Sequence, residues 1–437
     1  MTQHIEGTTA AEIAESVRAL VDRGTLTPGT MLPPVRALAD QLGVNRNTAV
    51  AAYRLLSQAG VTTSAGRAGT RVNGSAHSPQ DGYAHGTVLR DVGSGNPDPT
   101  LIPPLAPALA ALADRPVMYG EPTIDTDLEQ WARQWCTPDL APSDIAITVT
   151  SGAVDAIERL LAGALVRDDA VGLEDPCFLA SIHTVKLGGY RAVGMAVDAE
   201  GITPSGLRAA LDAGVRAIVT TPRAQNPTGV TMTPSRAAEL RAILAEHPYV
   251  LVIEDDHFSM LAPQAPQSII GPEHQRFALV RSVSKFLGPD MGLAIVATDP
   301  HTQSRLAMRL SPGTTWVSHI LQRLTLSQLT SPTAQALVAD AAKHYAARNA
   351  AFASLLTARG IAAPALSAIS LWVDTGVSAD AVVRELMKRG WLARTEDEFA
   401  LHRSPGSGSH VRLTVHDLAD EDQRQLADDL ALAITRQ

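Results

Sequence analysis

The sequence predicts an α/β protein in two unequal parts: a small head of three helices and a β-hairpin, then a long unit built on a mostly parallel sheet. Three observations carry that prediction. Apolar residues keep helical spacing up to about residue 60, residues 73–89 lose all periodicity in a run of Gly, Ser, Pro, Asn and His, and beyond them continuous apolar runs alternate with helical stretches. The 437 residues exceed one ordinary domain. With 45% hydrophobic and 19% charged residues the chain folds, and with only 4% aromatics its core is aliphatic.

From Thr8 to Arg23, Ile13, Val17, Leu20 and Val21 recur at helical spacing, and Gly24 with the TLTPG stretch ends the run. A second helix follows Pro33 and Pro34 and places Val35, Leu38, Ala39 and Leu42 on one face. Gly43-Val44 makes a tight turn. Asn45 caps a third helix, whose predicted buried stripe is Ala49, Val50, Tyr53 and Leu56 and whose stop is Gly60. VTTSAG and GTRV flank Gly66-Arg67-Ala68-Gly69 as the arms of a hairpin.

Three helices and a hairpin in this order make a winged helix-turn-helix. Its third helix would enter the major groove of double-stranded DNA with Asn45, Arg46 and Asn47 nearest the base edges. Arg36, at the start of the second helix, suits a phosphate, and Arg67 at the hairpin tip suits the adjacent minor groove. Each residue alone is also an ordinary solvated side chain; together they occupy the face such a head presents to DNA. The charge is divided accordingly. Residues 1–73 hold seven Arg against five acids, and the remainder holds 29 basic against 40 acidic residues, so the net charge of −9 conceals a basic head.

The expected boundaries are 1–73 for the head, 74–90 for a linker and 91–437 for the long unit, with a smaller C-terminal α/β subdomain from about 311 to 437. Predicted strands are IAITVT (145–150), AVGLED (170–175), AIVTTP (217–222), YVLVIEDD (249–256), FALVRS (277–282) and LAIVAT (293–298). Ligands in such sheets bind beyond the carboxyl ends of the strands. Cys136 and Cys177 build neither a disulfide framework nor a metal site, the N-terminus shows no export signal, and no apolar run reaches membrane-spanning length. A cytoplasmic protein without a membrane partner or metal is expected.

Four pieces carry chemistry. SVSKF puts Lys285 just past a strand, where its amine suits a Schiff base with an aldehyde cofactor, and Ser282 and Ser284 beside it suit a phosphate. IEDDHF places Asp255 where a carboxylate could hold a pyridine nitrogen protonated, with His257 two residues on. TPRAQNPTG offers Asn226 on a Pro/Gly turn, and TSGAVDAIERLL turns from strand to helix through Ser151, Gly152 and Ala153, leaving N–H groups for a phosphate. Singly, these pieces read equally as a surface lysine, an acidic strand end, a plain turn and a helix cap.

Two resemblances follow from these residues. LPPVRALADQLGVNRNTAVAAYRLLSQAG followed by GRAGTRV resembles the GntR-type winged helix across residues 9–73, and the resemblance implies DNA contacts at Arg36, Asn45, Arg46, Asn47, Gly66 and Arg67. The order helix start, NPTG, Asp-x-His, Ser-x-Ser-Lys resembles fold-type I aminotransferases across residues 91–437. Together they make the chain similar to the MocR subfamily of GntR regulators. That likeness implies pyridoxal 5′-phosphate on Lys285, Asp255 at the ring nitrogen, Asn226 at the ring oxygen, Phe178 stacked on the ring, and phosphate contacts from Gly152, Ala153, Ser282 and Ser284. It further implies a head-to-tail homodimer with Tyr119 reaching the partner's site, and Arg412 gripping the carboxylate of a small amine or amino-acid effector. Two positions depart from the family: His257 replaces the usual Tyr, and Gly292 stands where an Arg normally neutralises the phosphate. The resulting expectation is a regulator that binds an operator and senses pyridoxal phosphate or an amino compound; the alternatives are an active aminotransferase carrying a DNA-binding head and a regulator that has lost the cofactor.

Overall fold

The computed structural model describes residues 5–59, 61–64, 69–72, 82–84, 86–110, 116–311, 315–401 and 408–437. The chain divides into two compact units, residues 1–80 and 81–437.

In the first unit, α1 (Ala10–Asp22) begins in a capping box: Thr9 accepts from the Glu12 N–H, and the Glu12 carboxylate reaches back to the Thr9 N–H. Next come α2 (Val35–Leu42), ended by Gly43 in left-handed backbone, and α3 (Arg46–Gln58), capped by Asn45. The Tyr53 hydroxyl donates to the Pro33 carbonyl at 2.6 Å and ties α3 to the entry of α2. The hairpin is β1 (Thr62–Ser64) paired antiparallel with β2 (Thr70–Val72). One expectation fails. Val50 is 45% exposed, and Ala52 is buried with Ala49, Tyr53 and Leu56. Positions 49, 52, 53 and 56 lie on one helical stripe, and 50 falls outside it.

The second unit holds a sheet of eight strands, ordered β4, β11, β10, β9, β8, β5, β6, β7. Its chain begins with the short β3 (Arg90–Asp91). The sheet strands are β4 (Ala146–Thr150), β5 (Ala170–Asp175), β6 (Arg191–Asp198), β7 (Gly201–Ile202), β8 (Val215–Thr220), β9 (Leu251–Asp255), β10 (Phe277–Ser282) and β11 (Ala294–Thr298). All six predicted strands form. β6, RAVGMAVD, was not predicted, although AVGMAV is as free of polar side chains as the strands that were; in the fold only Met195 of this strand is fully buried. β11 runs antiparallel between β10 and β4, whereas β6, β5, β8, β9 and β10 are mutually parallel. Aliphatic clusters cover both faces of this sheet. Four further strands follow: β12 (Leu371–Asp374), β13 (Trp391–Leu392), β14 (Arg394–Thr395) and β15 (His410–Leu413). β12, β15 and β14 make a small antiparallel sheet, and β13 pairs with β3.

A buried ion network fixes the carboxyl end of β9 against β10. Asp256, just past β9, accepts two bonds from Arg223 at 2.7 and 2.8 Å and one from Arg281 at 3.0 Å. Arg281 also donates to the Trp135 carbonyl at 2.7 Å, pairs with Asp139 and lies over the Trp135 ring. Burial opposes ionisation of Asp256, but the two guanidinium groups prevail and hold its carboxyl below the usual range. Removing one partner from a buried pair leaves an uncompensated charge. Arg281→Leu should therefore destabilise the second unit by about 3–5 kcal/mol. Denaturant unfolding followed by tryptophan fluorescence checks this, since all five tryptophans lie in that unit.

Candidate functional site

β4 and β10 both run antiparallel to β11, so the carboxyl ends of β4, β5, β8, β9 and β10 share one edge of the sheet. The turns leaving that edge carry every cofactor residue read from the sequence except Tyr119. After β4 come Ser151 and Gly152, the latter at φ 96°, and the helix Ala153–Ala164. After β5, Phe178 opens the helix Leu179–Leu187. Asn226 follows β8, Asp255 ends β9 with His257 just beyond, and Lys285 sits in the short helix Ser284–Leu287 after β10.

Four of these side chains meet. Asn226, His257, Lys285 and Arg412 line a small cavity, with Gly95, Ala224, Gln225, Pro227, Phe258, Ala368, Ile369 and Ser370 completing its wall. Lys285 Nζ donates to the Gly95 carbonyl at 2.6 Å. Arg412 is fully buried; its Nη1 donates to Asn226 Oδ1 at 3.0 Å, its Nη2 to the Gly93 carbonyl at 2.6 Å, and its guanidinium lies 4.8 Å above the Phe399 ring. Sequence reasoning missed Gly93 and Gly95. Their role is carried by backbone carbonyls, so only the tight SGNP spelling could have hinted at it. Gln225 was also missed: its side chain joins Glu174, the Pro176 carbonyl and Thr228, and so fixes the turn that presents Asn226.

Asp255, at the end of β9, is buried and does not itself line the cavity, but Lys285 is near enough to act on its charge. The pleat sends Asp255 and Asp256 to opposite sides, and Asp255 Oδ1 is buried with no hydrogen-bond partner. Burial, then the like charges of Asp256 and Glu174, push its carboxyl up to about 7, while Lys285 acts in the opposite sense. A buried carboxylate oxygen without a donor is a group waiting for one. A protonated ring nitrogen is such a donor, and the ring end of pyridoxal phosphate fits the residues present.

The phosphate end has neutral donors. Ser282 Oγ bonds to Ser284 Oγ at 3.1 Å and accepts from the Ser284 N–H. The first turn of the helix Ala153–Ala164 offers N–H groups, although the Ser151 N–H is taken by Asp155. Gly292 adopts left-handed backbone, φ 45°, which a side chain adopts with strain. Nearby arginines are engaged elsewhere: Arg281 in the ion network, and Arg159 with Asp155 and the Arg309 carbonyl. Phe178 and the phosphate residues share the edge without lining the cavity, and Tyr119 is 89% exposed, with its ring 5.5 Å from Trp316.

In the first unit Arg36, Asn45, Arg46 and Asn47 are all exposed at the starts of α2 and α3. Asn45 Oδ1 caps α3 by accepting from the Asn47 N–H at 2.8 Å. Gly66 and Arg67 lie outside the described residues.

Residues 9–72 match the bacterial regulatory proteins of the gntR family, and residues 91–430 match aminotransferase class I and II. The vitamin B6 salvage pathway transcriptional repressor PtsJ of Salmonella typhimurium is 42% identical over 435 residues, 99% of this chain and 100% of that protein. The chain belongs to the MocR subfamily of GntR regulators. This MocR protein is also 28% identical, over 68% of each chain, to the pyridoxine biosynthesis regulator PdxR of Corynebacterium glutamicum. In fold its second unit is similar to the kynurenine aminotransferase of Pyrococcus horikoshii, with a TM-score of 0.72 and 20% identity over 80% of this chain and 92% of that one. It is thus a transcription regulator with a DNA-binding head and a pyridoxal-phosphate-binding, aminotransferase-like unit.

A carboxyl raised in the fold costs stability as pH climbs from its unfolded value near 4 through about 7. Asp255→Asn should therefore raise the Tm of the cofactor-free MocR protein, relative to wild type, more at pH 8 than at pH 5. A Tm difference independent of pH would contradict the assignment.

Proposed function

We propose that this regulator reads pyridoxal phosphate through Lys285 and adjusts the grip of its DNA-binding head on an operator serving vitamin B6 supply. The observation that carries the proposal is the buried Asp255 Oδ1, which has no hydrogen-bond partner, near a lysine that lines a cavity. The name of the PtsJ relative supports the pathway and the repressor sense. Within this reading the chain works in the cytoplasm as a head-to-tail homodimer. Tyr119, exposed on its own protomer, serves the partner's site. Residues 1–73, 74–90 and 91–437 act as head, linker and sensor, with residues 311–437 as the sensor's smaller part.

Pyridoxal phosphate, when bound, supplies an aldehyde that condenses with an amine and a ring that draws electrons. The chain's own residues hold and tune it. Asp255 would keep a proton on the ring nitrogen, Asn226 and His257 would face the ring oxygen, and Phe178 would cover the ring. The N–H groups of Gly152 and Ala153 with Ser151, Ser282 and Ser284 would receive the phosphate without a cation at position 292. Losing that charge-assisted contact would weaken binding by about 1.5–3 kcal/mol, on the order of tenfold to a hundredfold. In the head, Arg36 would hold a backbone phosphate, Asn45, Arg46 and Asn47 would face the major groove, and Arg67 with Gly66 would reach the adjacent minor groove.

A second reading is favoured by one observation. Arg412 and Lys285 line the same cavity, so the carboxylate and the amine of one amino acid can be held together. A slow half-transamination is the expected result, detected as conversion of the cofactor's visible absorption on adding an amino acid and lost in Arg412→Ala.

Two measurements test the main proposal. The purified protein with pyridoxal phosphate should show a visible absorption band that Lys285→Ala abolishes. Its mobility-shift affinity for upstream DNA should change with the cofactor in wild type only. Arg46→Ala should weaken operator binding by about 1–3 kcal/mol while leaving the band intact. No specific DNA binding in any condition would sink the proposal.

A further inference from the structure

The segment from Val92 to Asn96 reaches the site early in the second unit, with Gly95 in the cavity wall, and in sequence it follows closely on the stretch expected to link that unit to the head. It is stitched in place by its backbone. The Val92 N–H donates to the Leu392 carbonyl at 2.8 Å, and the Gly95 N–H donates to Thr414 Oγ1 at 3.0 Å. Upstream, the Gly82 N–H donates to the Ser94 carbonyl and the Ala84 N–H to the Asp91 carboxylate, each at 2.7 Å. The strap therefore holds the chain on its headward side as well.

Of its other carbonyls, Val92 O accepts from the Thr414 N–H at 2.6 Å and Asn96 O from His416 Nε2 at 2.9 Å, and the remaining two are taken by the two cations of the site. Lys285 Nζ donates to Gly95 O and Arg412 Nη2 to Gly93 O, each at 2.6 Å. Gly95 has φ +64°, and a Cβ there would stand 3.1 Å from Arg412 Nη2. Only glycine lets the backbone pass the guanidinium and still aim its carbonyl at the lysine. The groups that would receive an aldehyde and a carboxylate are thus the same groups that hold the strap down.

We propose that residues 93–96 form a latch closed by Lys285 and Arg412 and released when these side chains take up their ligands, so that occupancy is transmitted to the chain segment leading to the head. This rests on the reading of the site as a pyridoxal-phosphate sensor. When the Lys285 amine condenses with an aldehyde, a carbon–nitrogen double bond forms and the aldehyde oxygen leaves as water with two hydrogens from the amine. The nitrogen then keeps at most one hydrogen, whose direction the double bond fixes, so its donation to Gly95 O is weakened. A carboxylate on Arg412 competes in the same way for the donors serving Gly93 O and Asn226 Oδ1, although Gly93 O retains Arg394 Nε at 2.9 Å. The aldehyde is therefore the stronger release and the carboxylate the weaker one.

Hydrogen exchange of the full-length protein at the amides of residues 82–96 tests the latch. Pyridoxal phosphate should speed exchange there about tenfold, the loss expected for one charge-assisted hydrogen bond. Lys285→Ala should show the fast rate without any ligand, and no further change with it. Gly95→Ala, which moves the carbonyl but leaves the amine, should also exchange fast without ligand. Unchanged exchange in wild type that shows the band would overturn the latch and leave the sensor intact. Absence of the band would instead overturn the sensor reading, and equal exchange in ligand-free wild type and Lys285→Ala would still overturn the latch by itself.

Discussion

Two adjacent carboxylates at the end of one strand organise the second unit. The pleat turns Asp256 into a pair of arginines and Asp255 toward a lysine, so one strand end serves stability on one side and chemistry on the other. The arrangement depends on how fully Asp256 is neutralised. With Arg223 and Arg281 in place its charge is compensated, β9 and β10 are held in register, and the position of Asp255 relative to Lys285 is set before any ligand arrives. Were that compensation incomplete, two like charges side by side would push the strand end apart.

The site's charge is placed unevenly. Its ring end gathers a buried carboxyl, a lysine and an arginine, each with a defined partner or an evident vacancy for one. Its phosphate end relies on hydroxyls and helix N–H groups, with Asp155 already drawing on one of the latter. On the proposed reading, such a site would hold its cofactor chiefly through the covalent bond and the ring, and less through the phosphate than a site with an arginine does. In a sensor of that kind, moderate affinity would keep the bound fraction responsive to supply.

Much of this was legible in the sequence because it is periodic or local. The three head helices, their caps at Thr9 and Asn45, and six sheet strands announce themselves through apolar spacing and strand-ending turns. Val50 misled because one substitution of Val for Ala on a helix looks like core when only hydrophobicity is counted, while the stripe geometry selects Ala52. The antiparallel direction of β11 was illegible: direction depends on where the chain returns, and β11 is as uniformly apolar as its parallel neighbours. Lys285, Asn226, His257 and Arg412 were legible as candidates, and the fold brings them to one cavity. Gly93, Gly95, Gln225 and Arg223 were not, since each acts through a single contact between distant parts of the chain, and such contacts leave no repeat to read.

Arg412 is held on three sides, by Asn226, by the Gly93 carbonyl and by the face of Phe399. An arginine that must be ordered on binding surrenders roughly 2 kcal/mol of rotamer entropy. Here that freedom was given up when the chain folded. On the proposed reading, an anion that displaced the Gly93 and Asn226 contacts would meet a guanidinium already oriented by Phe399, and discrimination among anions would fall to their shape and angle of approach more than to their charge.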